Sequence, residues 1–142
     1  MLSHCYSLTT IDISHFNIEK VVYFDNMFSH CYSLKSINIS NYIAKSYTSI
    51  KKMFSNCYSL TSINLYNFQN NENPYYEELF YDCPNLKAIN ISKFSLYLRK
   101  YDKMFNSNIS SNGVLIINQG YYDDYKNLYK FYIPSNWKII FE

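Results

Sequence analysis

Apolar positions along this chain fall into two alternating regimes. In one, leucine and isoleucine are spaced as Leu34-x-x-Ile37-x-Ile39-x-x-Tyr42, with parallels at Leu8/Ile11/Ile13/Phe16, Leu60/Ile63/Leu65/Phe68 and Leu86/Ile89/Ile91/Phe94. The strict alternation Ile37-Asn38-Ile39 predicts a short strand with one apolar face. In the other regime the spacing is i, i+3, i+4, i+7, as in Ile50/Met53/Phe54/Cys57. Its partners are Phe24/Met27/Phe28/Cys31, Tyr76/Leu79/Phe80/Cys83 and Tyr101/Met104/Phe105. That spacing predicts one apolar stripe on a short helix. Asn73-Pro74 supplies an N-cap and a first-turn proline for the third helix, and Pro84 ends it.

The two regimes recur together every 26 residues, as the positions Cys5, Cys31, Cys57 and Cys83 mark. The flanks repeat as well: Ser3-His4-Cys5-Tyr6-Ser7-Leu8, Ser29-His30-Cys31-Tyr32-Ser33-Leu34 and Ser55-Asn56-Cys57-Tyr58-Ser59-Leu60, with a degenerate copy at Tyr81-Asp82-Cys83-Pro84-Asn85-Leu86. Helices this short do not survive alone in water, and one unit cannot bury its own apolar face. Stacked units can, which is the physics of a solenoid. The spacing L-x-x-I-x-I matches the leucine-rich-repeat pattern. Strands stack about 4.8 Å apart and helices about 8–10 Å apart, so the stack is expected to bend with its strands on the concave side.

The expectation is therefore an α/β solenoid of the leucine-rich-repeat type, with a parallel sheet on the concave face and short helices on the convex face. It has about five to six coils and a C-terminal cap, in a single domain over 1–142. The repeats run over about 1–26, 27–52, 53–78 and 79–103, and 104–142 forms an irregular last coil and cap. Val114-Leu115-Ile116-Ile117 reads as the fifth strand and Trp137 to Phe141 as a sixth, closing one, with Trp137 as lid. Tyr121 to Tyr132 reads as an irregular helix, with Tyr121, Tyr125, Leu128 and Tyr132 on one side. Met1-Leu2 takes the place of Met27-Phe28, so the N-terminus is expected to be truncated mid-repeat, its uncapped first strand open to edge pairing.

The motif resembles that of the BspA-like leucine-rich-repeat surface proteins, whose repeat has the form MF-x-x-C-x-S-L-x-x-L-D-L-S-x-F. Here it stands as Met27-Phe28-Ser29-His30-Cys31-Tyr32-Ser33-Leu34-Lys35-Ser36-Ile37-Asn38-Ile39-Ser40-Asn41-Tyr42, and begins again at Met53-Phe54-Ser55-Asn56-Cys57-Tyr58-Ser59-Leu60. The tail Ile133-Pro134-Ser135-Asn136-Trp137-Lys138-Ile139-Ile140 is similar to the closing segment of such arrays. The resemblance implies a secreted or surface-anchored protein with a role in adhesion, and it carries over no catalytic residue. In the L-D-L-S position Asp survives only as Asp12 and is otherwise Asn38, Asn64 and Asn90, which removes negative charge from the strand face.

Composition narrows the chemistry. The chain has 142 residues, a formal net charge of +2 and only 17% charged residues, so no basic excess argues for nucleic acid. Neither Gly113 nor Gly120 sits in a phosphate-binding glycine motif. No stretch approaches the roughly 18 apolar residues of a membrane span, and the first residues lack the regions of a signal peptide. A cytoplasmic location is thus the alternative to the surface.

The cysteines form a column, one per coil, where zinc would need ligands converging on a point, so a buried, reduced ladder is expected. His4 and His30, adjacent to cysteines, are expected to face outward or sideways. The basic spots Lys51-Lys52 and Arg99-Lys100 with Lys103 are diluted by acids nearby. The sequons Asn38-Ile39-Ser40, Asn90-Ile91-Ser92 and Asn108-Ile109-Ser110 follow largely from the repeat. No nucleophile, base and orienting acid stand out together, so no enzyme, cofactor or metal is expected.

One surface has character. With Ile37 and Ile39 inward, Ser36, Asn38 and Ser40 face out, and their columns are continued by Ser62, Asn64, Tyr66, Asn90 and Ser92. This small polar surface is the candidate binding face for a protein or glycan, with Tyr66 as anchor. The function expected is non-catalytic recognition as an adhesion module. The alternative is an intracellular scaffold.

Overall fold

The computed structural model describes residues 2–17, 20–39, 48–66, 75–93, 104–106, 108–121 and 134–142. Its strands are β1 (Thr10–Asp12), β2 (Ser36–Asn38), β3 (Ser62–Asn64), β4 (Ala88–Asn90), β5 (Val114–Ile117) and β6 (Lys138–Phe141). They form one six-stranded parallel sheet in chain order. Equivalent residues of the repeat face each other: Ile11 pairs with Ile37, Asn38 with Asn64, and Ile63 with Ile89. A register slip by one would turn every isoleucine to water, so the alternating pattern holds the register.

The coils return on the opposite side through the segments that carry the i, i+3, i+4, i+7 pattern. These were expected to be helices, and they are not. Among the described residues the only helical element is a 3-10 turn, Gln119–Tyr121. The reason lies in the backbone bonds. Phe24, Asn26, Phe28 and His30 each donate their N–H to the next coil, to the carbonyls of Ser49, Lys51, Met53 and Ser55 at 2.8–3.0 Å. Between them Met27, Ser29 and Cys31 donate to the residue three back. The segment is thus a chain of tight turns in which every second amide is spent on the neighbouring coil. The turns need left-handed backbone at Asn26, Lys52 and Glu78, and again at His4, His30, Asn56 and Asp82. No right-handed helix passes through such residues.

This removes the helices from which curvature was expected. Both sides of the coil are spaced by direct backbone bonds, the turn side also by the bridges Tyr23↔Ser49 and Ser49↔Tyr75. No wider helix spacing exists on the described turns to bend the stack, and the sheet is better called the strand face than a concave one. The protein is a parallel-sheet β-solenoid. The coils aligned on both sides amount to about three turns, those carrying Tyr23, Ser49 and Tyr75, where five to six had been expected.

The core runs along the solenoid axis in columns. Phe28, Phe54, Phe80 and Phe105 are fully buried and stack with ring centroids 5.6, 6.0 and 5.7 Å apart. Leu34, Leu60 and Leu86 form a second buried column and Ile37, Ile63 and Ile89 a third. Stacking at coil spacing lets identical side chains pack on one another, so one residue type solves each position in every coil. The predicted N-cap at Asn73-Pro74, Tyr101 and all of the expected helix from Tyr121 to Tyr132 except Tyr121 itself, which closes the 3-10 turn, lie outside the described residues.

Candidate recognition face

The strand face is positioned by alternation alone. In β2 and β3 the burial pattern is exposed, buried, exposed, so Ser36, Asn38, Ser62 and Asn64 project to solvent in register. Asn90 is half-buried. Ser92 is not on the surface: it is 2% exposed, and its hydroxyl donates to Asn90 Oδ1 at 2.8 Å. Ser40 lies outside the described residues.

The Asp/Asn column has a local task. Asp12 Oδ1 accepts the Ser14 N–H at 2.8 Å, Asn64 Oδ1 the Tyr66 N–H at 2.9 Å and Asn90 Oδ1 the Ser92 N–H at 3.0 Å. These are Asx turns that end β1, β3 and β4. The Ser14 amide holds the Asp12 carboxyl below its ordinary value. Asn serves the turn as well as Asp does, because only the oxygen is used. The column is therefore part of the coil's own frame as well as part of the exposed face.

Tyr66 is 38% exposed, and the Lys93 ammonium sits 5.3 Å from its ring centroid. Lys93 escaped the reading of the sequence because it lies 27 residues from Tyr66 and meets it only across stacked coils.

A second surface was also missed. Tyr6, Tyr32 and Tyr58 stack with centroids 4.9 and 4.8 Å apart, and His4 stacks on His30 at 4.6 Å with 14° between planes. His30 Nδ1 lies 3.3 Å from the Tyr32 hydroxyl. The signal was present as Tyr6, Tyr32 and Tyr58 at the repeat spacing, each directly after a cysteine. The histidines face outward, as expected, but as a stacked pair. Packed at coil spacing, the rungs present ring edges and hydroxyls to solvent.

The cysteines form the expected ladder. All four are free thiols, and Cys31, Cys57 and Cys83 are buried. Each of these three donates its S–H one coil back, to the carbonyls of Leu2, Phe28 and Phe54 at 3.1, 3.2 and 3.0 Å. Burial pushes the Cys57 thiol strongly up and that of Cys83 to about 12. Such thiols are not nucleophiles at neutral pH. Among the described residues no three His, Cys, Asp or Glu side chains are grouped to hold a metal ion, and no helix is long and apolar enough to cross a membrane.

Residues 1–116 match the model of a family described as "Mycoplasma protein of unknown function, DUF285". The chain belongs to this family. The DUF285 match spans β1 to β4 and most of β5, and leaves β6 outside it. No curated protein and no solved structure matches the chain.

Proposed function

We propose that this solenoid is a non-catalytic recognition module of a BspA-like leucine-rich-repeat surface protein, displayed at the cell surface or secreted. In this reading it serves adhesion, holding a protein or glycan partner against the strand face. The observation that carries the reading is the in-register display of Ser36, Asn38, Ser62 and Asn64, all exposed, beside the half-exposed ring of Tyr66. A rigid array of hydrogen-bonding groups at fixed spacing binds an extended partner with little ordering cost. Solenoids typically bind through such extended sheet surfaces. The repeat motif supports placement among surface proteins.

A second reading is favoured by one observation, the free thiols of all four cysteines. Proteins held in reducing compartments keep their cysteines reduced. In that reading the same face serves an intracellular scaffold.

Antibody labelling of intact cells beside permeabilised ones separates the two. Labelling of intact cells supports surface display. Labelling only after permeabilisation overturns the adhesion reading and leaves the scaffold.

A further inference from the structure

Among the described residues, charge is divided between the two sides of the coil. On the turn side Asp25, Glu77, Glu78 and Asp82 stand against Lys51 and Lys52, and these two lysines are taken up in ion pairs, Lys51–Glu77 at 2.6 Å and Lys52–Glu78 at 3.1 Å. Among the described residues the borders of the strand face have the opposite balance. Exposed Lys35 and Lys87 stand where the chain enters β2 and β4, exposed Lys93 follows the end of β4, and Lys138 opens β6 in the row shared with Ala88 and Val114. Among the described residues the acids on this side, Asp12 and Glu142, sit at the outermost strands, and Asp12 is occupied by its Asx turn.

The outward positions of β2 to β4 are therefore small, Ser36, Asn38, Ser62, Asn64, Ala88 and Asn90, with Lys87 and Lys93 flanking β4, while the outward rows on β5 and β6 continue as Val114, Ile116, Lys138 and Ile140. Lys93 is held in place over Tyr66, which fixes one positive charge at the rim. Strand-to-strand spacing of about 4.8 Å repeats these groups along the sheet, close to the length of a sugar unit in an extended chain. Serines and asparagines match hydroxyls and the lysines match acid groups. The Tyr66 ring already carries an ammonium on one face, which disfavours it as a platform for an uncharged sugar. We infer that the strand face takes an acidic polysaccharide, an inference that rests on the recognition reading above and names its partner class.

The test measures binding of immobilised protein to dextran sulfate, neutral dextran and poly-glutamate at low and physiological salt. Dextran sulfate should bind, and should weaken as salt rises. The pair K87Q/K93Q should weaken it about tenfold, while K51Q/K52Q on the turn side, which removes the same formal charge, should change it less than about twofold. All four side chains are at the surface, and thermal melts of both pairs check that the fold is intact. Equal loss from the two pairs overturns the inference, because net charge alone would then act. Equal binding of poly-glutamate overturns it in favour of an acidic protein. Equal binding of neutral dextran, indifferent to the lysines, overturns the acidic partner but leaves recognition by the strand face standing. Absence of binding to all three overturns the inference, while the cell-labelling experiment separately decides the broader reading.

Discussion

The indole of Trp137 lies against Gly113, so closely that a Cβ at Gly113 would stand 2.7 Å from Cε2 and 2.8 Å from Cζ2 of the ring. The same Cβ would meet the Lys87 carbonyl oxygen at 2.7 Å. The indole N–H donates to the Ser110 carbonyl at 2.7 Å, and Trp137 is 4% exposed. The last coil is thus fastened by a ring that replaces a side chain. Gly113→Ala should cost about 1–3 kcal/mol through overpacking, and Trp137→Ala about 3–5 kcal/mol through a cavity and an orphaned carbonyl. Urea denaturation checks both. An unchanged midpoint for Gly113→Ala would mean that the ring moves aside freely.

The left-handed residues make a second prediction. Asn26 has φ near 57° and gives its N–H to Lys51 of the next coil. A β-branched side chain is poorly tolerated there, whereas glycine is at home. Asn26→Val should lose roughly 1–2 kcal/mol and Asn26→Gly should stay near wild type. Thermal melts of the two variants compare them. Equal melting temperatures would argue that the turn is not built this way.

The cysteines should differ in reactivity. Cys5 is half-buried, while Cys31, Cys57 and Cys83 are buried and their thiols are shifted up by desolvation. A thiol-alkylating reagent at pH 8 should label Cys5 in the native protein and the other three only after unfolding. Peptide mass spectrometry reads out the sites. Fast native labelling of Cys57 would show that the coils open readily.

The His4–His30 stack should make the first coil sensitive to acid. Burial, and then the charge of His4, hold His30 below its ordinary value of 6.5. Just below pH 6.5 the unfolded chain therefore binds a proton that the folded chain resists, and stability falls as pH falls. The contribution is fully present above that pH and is lost as acid charges His30. His30→Asn, the residue that stands at Asn56 in the same column, should flatten the dependence of melting temperature on pH between about 6.5 and 5. An unchanged pH profile in this variant would rule the pair out as its source.

Much of the molecule was legible in the sequence. The 26-residue period, the inward Phe, Leu and Ile columns, the six strands and the cysteine ladder all follow from spacing, because identical residues at a fixed interval pack only by stacking. The outward Ser and Asn rows followed from simple alternation. What spacing left open was the path of the backbone on the other side. The series Phe24, Met27, Phe28, Cys31 suits a helical stripe, and it suits equally a run of tight turns with one side inward. Only the tertiary structure decided between them, because the amides of Phe24, Asn26, Phe28 and His30 find their carbonyls on the next coil, and those partners exist only once coils are stacked. The same reason hid the pairing of Lys93 with Tyr66, the burial of Ser92 and the separation of charge between the two sides. The sequence by itself determined which residues share a column. Contact between neighbouring columns and coils, which depends on how the backbone closes each turn, was decided by the fold.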